Sequence, residues 1–233
     1  MKLEVFNIKG EKTGKSVELP DAVFGAEPNE HAVWLAVKAY LANQRQGTHK
    51  SKERSEISGS TRKLHKQKGT GGSRKGDINS PLFKGGGRVF GPQPRDYSQK
   101  LNKKVKRLAR LSALSAKAAS GQIIIMEDFS FDAPKTKSYL SMLKALNLDA
   151  QKSLLVTNDY EKNVYLSSRN LPKAAVSRAQ DLNTYEILHS NTLILSEGSI
   201  GKIVESLWFD NASTSGSYHF NLEYKRNGKA NIN

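Results

Sequence analysis

The residues in this sequence that are best suited to chemistry are cations, and many of them fall in one stretch. Residues 45–100 hold 14 Lys and Arg against four Asp and Glu, together with ten of the chain's 18 glycines. Cationic side chains pair with phosphate oxygens, and the counterions that a polyanion releases drive the binding. We predict that these cations, with three more in the following helix, bind nucleic-acid phosphates: Arg45, Lys50, Lys52, Arg54, Arg62, Lys63, Lys66, Lys68, Arg74, Lys75, Lys84, Arg88, Arg95, Lys100, Lys103, Lys104 and Arg107.

Four rings lie among these cations. His65, Phe83, Phe90 and Tyr97 could stack on unpaired bases, as side chains often do in RNA recognition. For the two phenylalanines, packing within the stem of a loop is an equal alternative. The sequence shows neither a recognition helix nor an RNA-binding signature motif, so we expect recognition of the backbone and of RNA shape.

The same stretch lacks the pattern of a folded element. Its few large apolar residues follow neither a strand period nor a helix period, and its like charges repel one another. We expect it to stay open in isolation, because it cannot bury enough apolar surface to offset the entropy of ordering. In a two-armed loop centred near residues 72–73, each arm of about 28 residues could extend on the order of 90 Å. A flexible basic linker between two domains is the alternative.

Other chemistry has little support in the sequence. The chain contains no cysteine, which excludes disulfides and thiolate metal sites, and none of its five histidines has metal-ligand spacing. The segment GEKTGKS at 10–16 has three residues between its glycines where a phosphate-binding P-loop has four, and no helix pattern follows. We predict a hairpin turn there, and neither a metal ion nor a cofactor in the protein.

Acidic residues after three predicted strands are the best argument for an enzyme. Each of three buried apolar runs is followed by acidic residues: Glu127 and Asp128 after the first, Asp159 after the second and Glu197 after the third. Open α/β folds place ligands at these strand ends. The sequence gives no glycine-rich phosphate turn after any of these strands, and acids at helix N-termini are also favoured by the helix dipole. We therefore predict that the protein is not an enzyme, and keep an α/β enzyme with a basic insertion as a minor alternative.

The elements that position the basic stretch are predicted from periodicity. Residues 2–8 and 16–19 form a hairpin, and a helix over 30–43, capped by Asn29, places Trp34 and Tyr40 in the core. A second helix covers 101–120. After it come strands at 122–126, 152–157, 174–176 and 191–196, which alternate with helices at 134–146, 161–169, 183–190 and 199–207. This order is typical of a layered α/β domain with a mostly parallel central sheet and helices.

The predicted domain organisation follows from these elements. We expect residues 1–44 and 101–207 to form a single α/β domain, with 45–100 as an extended basic loop and 208–233 as a C-terminal extension that includes one strand at 218–224. The N-terminus has no apolar segment typical of a signal peptide, and no apolar run is long enough to span a membrane.

Several short motifs in this chain resemble those of one protein family. They are QKGTG at 67–71, followed by SR at 73–74, SP at 80–81 and GGG with V-F at 85–90, and also NQRQGTHKSKERSEISGS at 43–60, SQKLNKK at 98–104, APKTK at 133–137 and SRNL at 168–171. In content and order the chain resembles the bacterial form of the large-subunit ribosomal protein four family over about residues 1–207.

The resemblance implies a globular α/β domain on the solvent side of the large ribosomal subunit. It implies a loop that passes through 23S-type rRNA to the nascent-peptide exit tunnel, contacts with other large-subunit ribosomal proteins and the nascent peptide, and a role in early assembly. The location would be cytoplasmic, on the ribosome, with no membrane contact and no homo-oligomer. The tunnel-lining tip carried over from the family is Gln67, Lys68, Gly69, Thr70, Gly71 and Arg74.

The sequence departs from the family pattern at this tip. Leu64 and His65 stand where the family often has Pro and a large aromatic residue, and Gly72 stands where Arg is common. Stacking and charge at the tip are therefore expected to differ from the family pattern. A free RNA- or DNA-binding regulator or chaperone is the main alternative function.

Overall fold

The computed structural model describes residues 1–208 of the 233-residue chain. Its strands are β1 (Lys2–Phe6), β2 (Lys12–Glu18), β3 (Ile123–Met126), β4 (Ser153–Thr157), β5 (Ala174–Arg178) and β6 (Thr192–Ser196). Its helices are α1 (Asp21–Phe24), α2 (Glu30–Asn43), α3 (Lys103–Ala119), α4 (Thr136–Ala145), α5 (Lys162–Ser168), α6 (Thr184–His189) and α7 (Glu197–Trp208). Strands and helices alternate from β3 onward as predicted, and the short helix α1 has no counterpart in the prediction.

The six strands form one sheet in the order β2-β1-β3-β6-β4-β5. β1 pairs antiparallel with β2, and the other four pairings are parallel. Strands β4 and β6 are buried along their whole length, as near-continuous apolar runs are when helices cover both faces of a parallel sheet. The predicted fold class, layered α/β with a mostly parallel sheet, is confirmed.

Alternate residues of the central strands supply two separate cores, one on each face of the sheet. Leu193 and Leu195 of β6 lie in a cluster to which α3 and α7 also contribute. Ile194, between them, lies in a second cluster with Tyr139 of α4 and Val164 of α5. Because consecutive side chains of a strand point to opposite faces, α3 and α7 cover one face and α4 and α5 cover the other.

The N-terminal hairpin turns earlier than predicted. The side-chain oxygen of Asn7 accepts hydrogen bonds from the backbone N–H groups of Lys9 (2.9 Å) and Glu11 (3.0 Å), and Gly10 has a φ of +79°. β2 therefore begins at Lys12, four residues before the predicted strand, and the β1–β2 register shifts between Glu4 and Phe6. The segment that resembled a P-loop lies in this turn and in β2, as the spacing indicated.

Helix α2 has the predicted bounds but not the predicted buried face. The side-chain oxygen of Asn29 accepts a hydrogen bond from the backbone N–H of Ala32 (2.9 Å), which caps the helix as expected. The placement of Trp34 in the core is wrong, because the residue is 55% exposed, while Ala32 and Ala39 are buried and Tyr40 is half-buried. The helix is apolar around most of its circumference, so periodicity did not determine which face packs inward.

The chain divides into two compact units, which are described separately. Among the described residues, one unit comprises 1–28 and 110–208, contains the sheet and is called the sheet unit from here on, and the other comprises residues 29–109. The expected single domain of 1–44 with 101–207 stays a prediction. Residues 44–102 contain neither helix nor strand, in agreement with their lack of periodicity. The strand expected at 218–224 lies outside the described residues, and no helix within residues 1–208 is long and apolar enough to cross a membrane.

Candidate nucleic-acid interface

Residues 45–100, called the basic arm from here on, run out and back as two antiparallel segments. Four backbone hydrogen bonds join the segments: Arg95 N–H to Gly47 O (3.2 Å), Ser51 N–H to Pro92 O (2.9 Å), Arg88 N–H to Lys52 O (3.0 Å) and Leu64 N–H to Gly76 O (3.0 Å). They are too far apart to form a β-ladder. The two segments are thus joined at intervals along their length, and the predicted extended loop stays a prediction.

Glycine is required where the two segments approach most closely. A Cβ atom built on Gly87 would lie 2.6 Å from the Cα of Arg54 and 2.7 Å from the carbonyl carbon of Glu53, both on the opposite segment. At Gly47, which has a φ of +67°, a Cβ would overlap the carbonyl oxygen of Arg95. In both places the obstructing atoms belong to the backbone, so no change of side-chain rotamer relieves the clash.

The arm's own acidic residues fix its shape. Asp77, whose side chain is 11% exposed, pairs with the Arg54 guanidinium at 2.8 Å. Glu56 pairs with Lys50 at 2.6 Å, and the hydrogen bond from that ammonium group lowers the pKa of Glu56. These pairs leave most of the cations unneutralised, so the arm keeps a strong positive charge.

The other two acids of the arm also have partners within it. Glu53 accepts a hydrogen bond from the Gln93 side chain (2.8 Å), which links the two segments. Asp96 accepts hydrogen bonds from the Ser98 hydroxyl (2.5 Å) and the Ser98 backbone N–H (2.8 Å), and the hydroxyl contact lowers its pKa. All four acids therefore hold the arm's conformation.

The predicted phosphate-binding cations lie at the surface. All 14 cations of the arm are exposed, and so are Lys103 and Lys104 at the start of α3. Arg107, one turn later, is half-buried and has contacts within the protein. The structure therefore presents 16 of the 17 predicted residues to solvent, and their contact with nucleic acid stays a prediction.

Several cations converge on a cavity near the far end of the arm. The cavity has a volume of about 580 Å³ and is lined by Arg54, Thr61, Lys63, Gln67, Arg74, Lys75, Gly76 and Asp77. Its four cations outnumber its one acid, Asp77, which is paired with Arg54. A site of this size and charge can accept a phosphate group together with its sugar.

The tip of the arm is a glycine-rich turn that joins the two segments. The six predicted tip residues are all exposed. Gly69 (φ +83°) and Gly71 (φ +69°) adopt left-handed conformations that favour glycine, and a Cβ built on either meets no atom within 4 Å. At the base of the tip the His65 imidazole is hydrogen-bonded to the carbonyl oxygen of Ser73 at 3.0 Å.

The four predicted stacking rings have different surroundings. Phe90 is fully exposed at a φ of +52°, so its ring is available to a partner. Phe83 is half-buried, with the Lys75 ammonium 5.8 Å from its ring centroid. His65 is half-buried as well. Of the two alternatives for the phenylalanines, the exposed position of Phe90 favours base stacking, which stays a prediction.

Tyr97 already has partners in the stem of the arm. The guanidinium groups of Arg45 and Arg95 lie over its ring, 3.7 and 4.5 Å from the centroid. Its hydroxyl is hydrogen-bonded to His49 at 2.8 Å. This packing orders the stem and competes with base stacking at Tyr97.

The acidic residues at the carboxyl edge of the sheet have structural roles. Glu127 pairs with Lys15 at 3.0 Å, and Asp159 pairs with Lys202 at 2.6 Å. The Asp128 carboxylate accepts the backbone N–H of Gly198 at 3.2 Å, where α7 begins. Among residues 1–208 no three His, Asp or Glu side chains are grouped to hold a metal ion.

A further exposed group, which the sequence did not predict, lies on α2. Trp34 faces solvent beside His31 and Lys38, whereas the expectation put the tryptophan in the core. Periodicity gave no signal for this placement, because the residues on both sides of the helix are apolar.

Comparison with known proteins gives a consistent family assignment. The model of the ribosomal protein L4/L1 family matches residues 17–206. The chain is 60% identical over 207 residues to large ribosomal subunit protein uL4 of Flavobacterium psychrophilum, covering 89% of this chain and 99% of that protein. It is 60% identical to uL4 of Parabacteroides distasonis over 206 residues, covering 88% and 99%. With uL4 of Amoebophilus asiaticus the identity is 55% over 212 residues, covering 91% and 100%. These matches confirm the resemblance seen in the arm motifs, and the chain belongs to the ribosomal protein L4/L1 family.

Proposed function

We propose that this protein is a structural constituent of the large ribosomal subunit that binds large-subunit rRNA through its basic arm. The observation that carries the proposal is the distribution of charge. Residues 29–109 hold 19 Lys and Arg against five Asp and Glu, which is +14 of the chain's +15. Binding by counterion release needs such a concentration of exposed cations, and a solubilising charge would not need to be confined to one unit.

The family assignment favours this function over the alternatives. Its relatives are named as large ribosomal subunit proteins, which identifies a structural component and not an enzyme. We propose that the protein resides on the cytoplasmic ribosome, contacts neighbouring ribosomal proteins and assists early subunit assembly. Sedimentation of the native protein with large subunits through high-salt sucrose supports a resident constituent, and a rapidly exchanging free pool would support a free regulator or chaperone.

Binding by the arm is tested with matched charge variants of the full chain. One variant replaces three cations of the cavity, Lys63, Arg74 and Lys75, with glutamine. The control replaces three exposed lysines of the sheet unit, Lys9, Lys137 and Lys144, and so removes the same charge. Affinity for transcribed large-subunit rRNA is measured between about 50 and 300 mM salt, a range over which counterion release changes binding strongly.

The arm variant should make the negative slope of log K against log salt shallower by about 2–3, because each lost phosphate contact removes roughly 0.7–0.9 from its magnitude. The control should stay within about twofold of the wild-type affinity, since its lysines make no phosphate contact in the proposal. Equal effects of the two variants would show that only total charge matters. An unchanged arm variant would show that the cavity does not bind RNA.

We further propose that the tip reaches the nascent-peptide exit tunnel. Gln67, Thr70 and Arg74 lie beyond the last backbone hydrogen bond between the two segments, from Leu64 N–H to Gly76 O, and all three are exposed. A photocrosslinker placed at Thr70 should react with the nascent peptide in translating ribosomes, and one placed at exposed Lys137 should not. If assembled ribosomes carry the Thr70 probe without any crosslink to the peptide, the tunnel contact is refuted.

A further inference from the structure

One face of α2 carries exposed side chains that the proposed function does not use. His31, Trp34, Lys38 and Leu41 follow one another at spacings of three and four, so they line one face of the helix, called the Trp34 face from here on. Trp34 is 55% exposed and Leu41 is 44% exposed. Tryptophan is highly buried on average in folded proteins, so an exposed indole within an ordered helix needs an explanation.

Two neighbours of Trp34 on the helix flank its indole. The His31 imidazole stacks on it with 5.9 Å between ring centroids and 20° between the planes. The Lys38 ammonium lies 4.8 Å from the indole centroid. An aromatic ring beside a cationic group is an arrangement by which proteins bind single-stranded nucleic acid, since the ring stacks on a base and the cation pairs with a phosphate.

Lys38 is free to take up such a phosphate contact. Within residues 1–208 the ammonium group of Lys38 forms no salt bridge. Over the same residues, its one cation–π contact is with the Trp34 indole. The lysine stem is flexible, so the ammonium can leave the ring when a base takes its place. The indole and the ammonium then bind adjacent parts of one nucleotide.

The positive charge around α2 indicates which class of partner could cover the Trp34 face. The compact unit that contains α2 carries +14, and the sole acidic residue on this helix is Glu30. One helical turn beyond Leu41, Arg45 begins the basic arm. A partner covering the Trp34 face must therefore tolerate a strongly positive surface and also offer a flat apolar surface to an indole. A single-stranded RNA segment meets both requirements.

We propose that the Trp34 face is a second RNA contact, at which the Trp34 indole stacks on an unpaired base of large-subunit rRNA and Lys38 pairs with a neighbouring phosphate. The inference rests on the proposed function, because it names the same class of partner. It adds a separate site, on a helix outside the basic arm, and a separate kind of contact, since the arm cations bind the backbone and Trp34 binds a base.

The first test compares two substitutions in the full chain. Trp34→Phe keeps an aromatic ring, and Trp34→Leu keeps apolar volume without one. Because the position is exposed, both should fold with the wild-type melting temperature. Trp34→Leu should weaken binding to transcribed large-subunit rRNA about tenfold, whereas Trp34→Phe should remain within about threefold of the wild type, as expected for the loss or retention of base stacking.

The second test separates stacking from charge by fluorescence. The chain has two tryptophans, so the signal of Trp34 is the difference between the wild-type protein and Trp34→Phe. Oligoadenylate should quench that signal by about half or more, because a stacked base contacts the indole. Heparin has the charge but no bases, and at equal charge it should quench the signal far less.

The outcomes of these tests distinguish failure of the Trp34 contact from failure of the proposed function, which is rRNA binding through the basic arm. Equal binding by Trp34→Leu and Trp34→Phe, or equal quenching by heparin and oligoadenylate, overturns the Trp34 contact. If Trp34→Leu subunits lose a neighbouring protein while every base keeps its chemical reactivity, the face binds protein and the inference fails. Loss of binding in the Lys63, Arg74 and Lys75 variant, with none in Trp34→Leu, refutes the inference alone. No loss in either variant, together with absence of the protein from large subunits sedimented through high-salt sucrose, refutes the proposed function as well.

Discussion

The close approach of the two segments at Gly87 makes Gly87→Ala the most informative single substitution in the basic arm. An added Cβ would lie 2.6 Å from the Cα of Arg54, where ordinary contacts begin near 3.4 Å. The segments must therefore separate by about 1 Å, since the obstructing atoms are backbone atoms. Because Gly87 itself must shift, two hydrogen bonds of 3.0 Å are disrupted: the one between the segments from Arg88 N–H to Lys52 O, and the one within the return segment from Gly87 N–H to Asn79 O.

The expected loss of affinity follows from these two bonds. Each contributes about 1 kcal/mol net, so the bound conformation of the arm loses about 2 kcal/mol. That corresponds to roughly 30-fold weaker binding of large-subunit rRNA. The sheet unit should keep its wild-type melting temperature, because Gly87 belongs to neither hydrophobic core.

Gly72→Ala is the matched control for this experiment. A Cβ built on Gly72 meets no atom within 4 Å, and its φ is outside the left-handed region. The control should bind rRNA within about twofold of the wild type, since alanine fits this backbone without strain. Filter binding gives the affinities, and amide exchange of Arg88 in the complex reports whether the bond to Lys52 forms. Wild-type affinity for rRNA in Gly87→Ala would show that the close approach of the segments at Gly87 does not matter for binding. An equal loss of affinity in Gly72→Ala would refute the same reasoning.

Two further predictions concern the tip and the core. Deleting residues 62–76 should leave the sheet unit with one cooperative unfolding transition, because none of these residues is in either core, and rRNA binding should persist through the remaining cations. Loss of cooperativity in the calorimeter would contradict this. Tyr139→Phe should leave the free energy of unfolding unchanged or raise it by up to about 1 kcal/mol, because the Tyr139 hydroxyl is buried without a hydrogen-bond partner among the described residues, and burial raises its pKa. A loss above about 1 kcal/mol in urea denaturation would show that the hydroxyl has a partner.

Local chemistry made much of the fold predictable. The apolar runs of β4 and β6 indicated strands buried on both faces, and their burial confirms it. The Asn29 cap located the start of α2 to the residue. The basic arm was predictable as a segment without helix or strand, because its charges and glycines cannot supply a periodic apolar face.

What the sequence could not predict depends on three-dimensional contacts. Gly87 and Gly72 are the same residue type in similar sequence surroundings, yet one lies against the opposite segment and the other faces open space. Only the path of the other segment distinguishes them. On α2, alanines occupy the buried face and Trp34 the exposed one, which reverses the ranking by hydrophobicity. Small side chains allow close approach of a packing partner. The pattern of polar and apolar residues does not indicate this preference for small side chains on the buried face.

Charge and packing are divided between the two units of the chain. Residues 29–109 carry +14, which leaves +1 for the rest of the chain, where both cores lie. The sheet unit is nearly neutral, so burial of its apolar side chains can stabilise it without a polyanion to neutralise its charge. The arm has no comparable core, and its acids serve as internal ties, as in the pair between Asp77 and Arg54. Removing such a tie, for example in Asp77→Asn, would make the arm more positive and yet less ordered. If RNA binding depends on the placement of cations and not on their number, that variant should bind rRNA more weakly despite its greater positive charge.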